Sequence, residues 1–293
     1  MAIGNADIKE LELRAAKCRR NVVRMVRSGG AGHMGGAMSC LDIVTALYFH
    51  AMNVDPAEPK KEGRDRFILS AGHKCMAQYA ALAEAGFFNK AELDTYGKLG
   101  THLPGHPDMN KLAGIEANTG ALGHGLSIAV GMALGLRGNT AATPPRVFVI
   151  MGDGELPEGS NWEAAAAAAH YKLDNLIVFV DDNGLQISGP TTEVMNMEPV
   201  ADRFAAFGWK TAEIAGNSMA EVISLLNRLP LEKGKPSAVI AHTTKARGLS
   251  FAEGKLDSHY WKPKGEELER AEKELDEAIR RLGEGIAARG GVV

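Results

Sequence analysis

Residues 146–184 restrict the possible fold of this chain more than any other stretch. Arg146 to Met151 (RVFVIM) is a short, β-branched, apolar run of the kind that forms a strand buried on both faces. Gly152-Asp153-Gly154 breaks it. Two glycines around one carboxylate let the backbone approach a ligand while the aspartate points into the gap. Gly159 to Tyr171 then reads as a helix, with Ser160 or Asn161 as N-cap and an alanine-rich middle, Ala164 to Ala169, small enough to lie close to a sheet. Asn175 to Val180 (NLIVFV) is a second strand, closed by Asp181-Asp182-Asn183-Gly184. Strand, helix, strand predicts a βαβ unit with parallel strands and a right-handed crossover. Asp153 and Asn183, thirty positions apart, then sit at the carboxyl ends of neighbouring strands, where parallel sheets bind ligands.

That pair is one carboxylate and one neutral amide. Oxygen ligands suit Mg²⁺ or Ca²⁺, and Mg²⁺ usually completes its octahedron with phosphate oxygens and water. The spacing therefore predicts a metal that anchors a diphosphate. An ordinary turn with a helix-capping aspartate would account for the first half alone, but not for an asparagine closing the next strand.

The rest of the chain alternates in the same way. Ile8 to Arg27 has helical periodicity and stops at Ser28-Gly29-Gly30; Ser39 or Cys40 opens a second helix to about Phe49. Arg66 to Ser70 reads as a strand, followed by Ala71-Gly72-His73 and a helix from Lys74 to about Gly86. Helices over Val200 to Phe207 and Ser218 to Leu229 alternate with strands over Trp209 to Ile214 and Ser237 to His242. The pattern predicts an α/β fold, a mainly parallel sheet with helices on both faces, as a single domain over residues 1–293. Segment 243–263 is expected to be irregular, and 266–282 a surface helix with Leu268, Leu275, Ile279 and Leu282 on one stripe.

Composition narrows the function by exclusion. A net charge of −3 without any Lys/Arg run argues against nucleic acid as a partner. The three cysteines have no metal-ligand spacing and are expected to be reduced thiols in the cytoplasm. The N-terminal stretch has no apolar core of a signal peptide, and no segment is apolar for long enough to suggest a membrane span.

Histidines carry the remaining signal. His33, His73, His106, His124 and His259 all lie in glycine-rich or strand-end loops. Any one alone reads as an ordinary hydrogen-bonded loop residue. Several beside a diphosphate anchor point to a polar site suited to proton transfer and to binding hydroxyls. His106, with His102, belongs to a long irregular stretch, Gly97 to Asn118, of a length that is usually functional or disordered. Thr119 to Gly125 is a glycine-rich helix start able to present N–H groups to an anion or a ring. No Cys/His spacing supports zinc.

Taken together, these stretches resemble the N-terminal, diphosphate-binding part of transketolases, in family order over about residues 11–264. The matching segments are Ala31-Gly-His-Met-Gly-Gly36, Arg64 to His73, Pro104-Gly-His-Pro-Asp108, Thr119-Gly-Ala-Leu-Gly123, Gly152-Asp-Gly-Glu-Leu-Pro-Glu-Gly159, Asp181-Asp-Asn-Gly184 and Asp257-Ser-His259. The resemblance implies the thiamine diphosphate-binding fold, with thiamine diphosphate and Mg²⁺ (Ca²⁺ or Mn²⁺ as substitutes) as cofactors. It implies Asp153, Asn183 and the Leu185 carbonyl as metal ligands. Gly152, Gly154, His73 and His259 are implied as cofactor contacts, and Gly120, Ala121 and Leu122 as lining near the pyrimidine. His33, His106 and His259 would face the substrate as catalytic groups, and Glu158 would be an interface residue. The sequence departs from the family pattern at Met34, Ala121 and His124, and Ile187 to Pro190 lacks the usual aspartate; these positions bear on the natural sugar.

No segment resembles the pyrimidine-binding and C-terminal domains of full transketolases, which supply the glutamate that activates the cofactor. The resemblance thus implies one half of a split enzyme, active in an α₂β₂ assembly with a C-terminal partner subunit. It would transfer a two-carbon ketol unit from a ketose (phosphate) to an aldose (phosphate). An E1 α subunit of a 2-oxoacid dehydrogenase and a non-catalytic thiamine diphosphate-binding protein are the alternatives. The histidine-bearing segments argue against the first, and the retained anchor and histidines against the second. A Mg²⁺-dependent phosphatase or NTPase has no matching motif, since the sequence contains no GxxxxGK[ST].

Overall fold

Alternate residues of the two central strands feed two separate cores. In the computed structural model, which describes residues 8–138 and 144–288, Phe148, Ile150, Ile177 and Phe179 point into one core, and Val147, Val149, Met151, Val178 and Val180 into the other. A strand pair covered on both faces needs this apolar run without polar alternation.

Five parallel strands form the sheet: β1 (Arg66–Leu69), β2 (Val147–Gly152), β3 (Leu176–Asp182), β4 (Lys210–Ala215) and β5 (Ser237–His242), in the order β1-β2-β3-β5-β4. Helices α1 (Ile8–Gly29), α2 (Met34–Ser39), α3 (Leu41–Ala46), α4 (Cys75–Ala85), α9 (Met219–Leu226) and α10 (Glu267–Ala287) contribute to the first core. Helices α5 (Gly125–Leu136), α6 (Gly159–His170) and α8 (Val200–Ala206) contribute to the second; α7 (Thr191–Val194) is a single turn with no buried residue. From β2 to β3 to β4 the chain crosses over the second face. From β4 back to β5 it reverses direction, and α9 falls on the first face, as right-handed crossovers require. The alanine run behaves as expected: Ala164, Ala165 and Ala168 are buried in the second core.

Helix α3 opens at Cys40, as the sequence predicts, and continues into a wide turn over Leu47–Ala51. The short helix α2, Met34–Ser39, stands ahead of it without a sequence signal, and two further local expectations need correction. Gly35 and Gly36 are poor helix formers by propensity, but a Cβ on Gly35 would lie 2.5 Å from the Ser258 carbonyl oxygen, so the packing demands glycine. Helix α5 begins at Gly125 rather than Thr119, because Gly120 and Gly123 have φ of 154° and 85°, outside helical space. The N-cap of α6 is Glu158. Ser160 donates to the Gly123 carbonyl at 2.8 Å and Asn161 to the Glu155 carbonyl at 2.8 Å, so both side chains tie loops together instead of capping.

Segment 243–263 holds no regular element beyond one short turn, Leu256–Ser258. It is pinned where Gly32 and Trp261 exchange backbone hydrogen bonds of 3.0 and 2.8 Å. All three cysteines are buried free thiols, and among the described residues no helix is long and apolar enough to cross a membrane.

Candidate active site

The register places Gly152 beside Asp181, so the turns after β2 and β3 leave the sheet together. The Asp153 carboxylate accepts from the Gly154 N–H on one oxygen and the Gly184 N–H on the other, both at 2.7 Å. It is 7% exposed. Burial is the largest influence on it and pushes its pKa up to about 6, with Lys74 opposing and Asp181 adding to the rise. Asn183 is held by its own neighbours: its side-chain oxygen accepts from the Leu185 N–H at 3.3 Å, and its amide faces the Asp181 carboxylate at 3.4 Å.

Beneath this pair lies a buried ionic cluster. Asp181 accepts from Lys74 Nζ and Ser39 Oγ, both at 2.5 Å, and from Thr243 Oγ1 at 2.6 Å. Burial works against the Lys74 charge, but Asp181 outweighs it and raises the lysine pKa. A second ammonium, Lys245, donates to the Leu185 carbonyl at 2.8 Å; burial first, then Lys74, lower its pKa to about 8. Glu155, also buried, accepts from Ser70 Oγ and from the Gly123 and Gly152 N–H groups at 2.9 and 3.2 Å. Its carboxylate thereby ties the ends of β1 and β2 to the loop before α5.

Four loops bring four imidazoles together. His33 lies 5.2 Å from His73, 5.4 Å from His259 and 6.3 Å from His106 between ring centroids, and His73 lies 5.5 Å from His259. Backbone contact makes this possible: a Cβ on Gly72 would sit 2.6 Å from the carbonyl carbon of Thr119, so the β1 turn can close on the loop before α5 only with glycine there. Burial lowers the pKa of His73 to about 2, helped by Lys74 and the other three imidazoles, and that of His259 to about 4, helped by Lys245 and His33. His33 is lowered by burial and then by His106. Among the described residues, none of the four rings hydrogen-bonds to another protein group, so their nitrogens are open.

A cavity of about 310 Å³ unites both ends. Its walls include Asp153, Gly154, Asn183 and Leu185 at one end, and His33, His73 and His259 at the other. Gly120, Leu122 and Gly152 line it as well. Ala121 does not; its side chain is exposed. His106 reaches the cavity edge through Gly120, whose Cβ position lies 3.0 Å from the ring. Glu158 stands on the surface over Gly123. His124 is exposed, and His102 is a surface residue 3.4 Å from Glu92.

Lys74, Lys245, Gln186, Glu155 and Asp181 belong to the site although sequence reasoning did not assign them. Lys74 follows His73 directly and precedes an apolar helix, and Lys245 stands three residues beyond β5; a strand-end position was the available signal for both. Gln186 gave no signal. The donor set fits a metal-linked diphosphate. One desolvated carboxylate, one amide and one carbonyl offer oxygen to a hard cation. Lys74 and Lys245 each keep N–H donors beyond their bonds to Asp181 and the Leu185 carbonyl, and the buried Gln186 Nε2 has no protein partner among the described residues.

A parallel sheet with this combination at its carboxyl edge has the chemistry of a domain that holds an anionic, metal-linked cofactor. Residues 12–278 match the family model described as transketolase, thiamine diphosphate binding domain. The chain is 45% identical over 276 residues to one of the named subunits of apulose-4-phosphate transketolase from Phocaeicola vulgatus, covering 94% of this chain and 97% of that protein. It is 42% identical over 267 residues to "6-deoxy-6-sulfo-D-fructose transketolase subunit SqwG" of a Clostridium species, covering 91% and 96%. Human transketolase is 38% identical over 252 residues, but these span 86% of this chain and only 40% of the human one. The crystal structure of Campylobacter jejuni transketolase superposes with a TM-score of 0.84 at 31% identity, covering 94% of this chain and 46% of that one. The chain belongs to the transketolase family and corresponds, over nearly its whole length, to the N-terminal subunit of a split enzyme of that family. These relatives are all named as transketolases, so the 2-oxoacid dehydrogenase reading is not favoured.

Proposed function

We propose that this chain is the cofactor-anchoring subunit of a transketolase that moves a two-carbon ketol unit between sugars bearing an anionic group. Asp153, Asn183 and the Leu185 carbonyl would hold Mg²⁺. Gly154, His73, Lys245 and Gln186 would hold the diphosphate, and Gly120 to Leu122 would line the ring end. When bound, thiamine diphosphate supplies the electron sink that carbon–carbon cleavage beside a carbonyl needs. Burial keeps His33 and His259 neutral near pH 7, so each offers an acceptor nitrogen. A neutral imidazole can take the proton of the ketose C3 hydroxyl as the C2–C3 bond breaks and return it when the new bond forms. His106 would bind a hydroxyl from the opposite wall.

The observation that carries this reading is the single cavity that joins a buried carboxylate–amide pair to imidazoles with open nitrogens. The names of the relatives, with phosphate- and sulfonate-bearing sugars, support an anionic substrate. That those relatives are themselves named as subunits supports a partner chain that supplies the activating glutamate, with Glu158 at the interface of an α₂β₂ assembly. Three buried free thiols fit a cytoplasmic enzyme. Ketol transfer with thiamine diphosphate and Mg²⁺, assayed for this chain, its partner and the mixture, tests the proposal: only the mixture should turn over. Robust turnover by this chain alone would refute it.

A further inference from the structure

The two hydroxyls that hold Asp181 come from distant segments: Ser39 ends α2, and Thr243 follows β5. They can be aimed at one carboxylate only if both backbones are fixed. One side chain fixes both. Asn217, two residues beyond β4, donates to the Ser39 carbonyl at 2.9 Å and to the Asp42 carboxylate at 2.8 Å. Its side-chain oxygen accepts from the Thr244 N–H at 2.8 Å. Both amide hydrogens and the oxygen are thus in use. Gly216 brings Asn217 within reach: a Cβ there would lie 2.6 Å from Thr243 Cγ2 and 2.9 Å from Ala241 Cβ, so the exits of β4 and β5 can press together only with glycine.

Asp42 is gripped in turn. Arg19 donates to its two oxygens at 3.0 and 2.6 Å, and from Nε to the Arg247 carbonyl at 2.9 Å. Such a forked pair fixes orientation as well as distance. Replacing a buried ion pair by apolar residues of the same volume is often neutral or stabilising, so geometry is the stronger account of what this one adds. Arg19, Asp42 and Asn217 together join α1, α3, the exit of β4 and the segment 244–247. Lys245 lies within that segment, between the Thr244 N–H and the Arg247 carbonyl that the chain holds. None of the three lines the inner cavity. They face a separate, open groove bordered by α1 and α10.

We infer that Asn217, oriented by the Arg19–Asp42 pair, is a positioning residue for the cofactor anchor. From outside the cavity it sets the two hydroxyls that hold Asp181, and Asp181 holds the Lys74 ammonium. It sets Lys245 through the backbone of Thr244. The spacing of the two ammonium groups at the diphosphate end therefore depends on a residue that touches neither of them. The inference rests on the proposed role of that end in holding the diphosphate of the cofactor.

The test uses Asn217→Asp, which keeps the shape and the acceptor for Thr244 but turns two donated hydrogen bonds into contacts between oxygens. Thiamine diphosphate with Mg²⁺ is titrated into the assembled enzyme by calorimetry, well below the melting temperature. Affinity should fall by about tenfold or more, the loss usual when a supporting partner of a metal site is removed. KM for thiamine diphosphate should rise by the same factor, and turnover at saturating cofactor should fall by less. Arg19→Lys keeps the charge beside Asp42 but gives up the fork; its affinity should fall in the same direction, and it decides the matter if Asn217→Asp does not fold. Asp65→Asn is the control for stability alone. Asp65 is 3% exposed and pairs with Arg146 at 2.7 Å, at the amino ends of β1 and β2, away from the site. That variant should melt earlier yet bind cofactor as the wild type does. Wild-type affinity in Asn217→Asp, or an equal loss in Asp65→Asn, overturns the positioning role; so does wild-type affinity in Arg19→Lys where that variant decides. Because calorimetry needs no turnover, tight binding without ketol transfer would count against that reaction and leave the affinities to decide the role of Asn217. A wild type that does not bind thiamine diphosphate would overturn both.

Discussion

The two ends of the inner cavity are built on opposite principles. At the anchor end both central carboxylates are already satisfied from within the fold: Asp153 by two backbone N–H groups, Asp181 by Lys74, Ser39 and Thr243. At the histidine end four rings crowd within about 5–6 Å, yet leave their nitrogens without protein partners. A buried carboxylate held by hydrogen bonds on both oxygens is fixed in position, which suits holding a metal-linked diphosphate in place. Open, neutral imidazoles can exchange protons and hydroxyl hydrogen bonds, which suits turnover. Under the proposed function, with His73 alone among the four rings on the diphosphate, binding and chemistry become separable, and mutations should separate them.

The sharpest way to break that division is Asp153→Ala. It removes the only charged oxygen ligand proposed for the metal, and affinity for thiamine diphosphate with Mg²⁺ should fall by more than about 100-fold, beyond what loss of a supporting partner costs. Calorimetry on the assembled enzyme reads this directly; unchanged affinity would remove Asp153 from the anchor. Alanine at His33 or His106 should do the reverse, and at His259, which is also a candidate cofactor contact, turnover should fall by far more than cofactor affinity. At His33 and His106 cofactor affinity and assembly should stay near wild type, while turnover falls by about 10²–10⁴-fold, the range for positioned acid–base groups. If cofactor affinity falls as much as turnover in all three variants, the two ends are not separable.

The anchor end was the more legible in sequence, and the reason is register. Two apolar runs ending in polar residues fix parallel strands, so Asp153 and Asn183 had to emerge together. The four histidines were legible as candidates from their glycine-rich loops, but their convergence depends on contacts such as Gly35 on Ser258 and Gly72 on Thr119, which periodicity cannot encode. The same contacts hid the start of α2 at Met34, since a Gly-Gly pair reads as a helix breaker until its packing is known. Lys74 was hidden for another reason. A lysine in an apolar helix start is invisible as a site residue until its counter-charge, Asp181, is seen across 107 positions.

That pair gives the next prediction. Lys74→Met leaves Asp181 as a buried carboxylate without a cation, which should destabilise the chain by about 3–5 kcal/mol. The exposed pair between Arg24 and Asp94 should be worth no more than about 1 kcal/mol when Arg24 is replaced by alanine. Urea unfolding of the cofactor-free protein compares them. Equal small losses would show that the anchor does not depend on its buried charge pair.

The smallest effect is graded with pH and comes from the histidine end. His73 has a folded-state pKa near 2 and His259 near 4, both pushed down first by burial, against 6.5 for an unperturbed imidazole. His73 faces Lys74, His33, His106 and His259, all cationic or able to become so, and Lys245 adds to the field at His259. Below pH 6.5 the unfolded chain binds a proton at each of these rings that the folded chain refuses. Stability is therefore at its full value above about pH 6.5 and falls as pH drops, through the window from 6.5 to about 4 for His259 and on towards 2 for His73. Asp153 works the other way: with a folded pKa near 6 against 3.8 it binds its proton more readily when folded, and offsets part of the loss between those values. Each imidazole contributes a slope of at most about 1.4 kcal/mol per pH unit. In His73→Asn one such proton disappears, so the fall in unfolding free energy from pH 6.5 to 5 in the cofactor-free protein should become shallower by up to that amount per unit. An identical slope in His73→Asn would mean that the ring protonates in place, and that the histidine end is wetter and more mobile than its packing indicates.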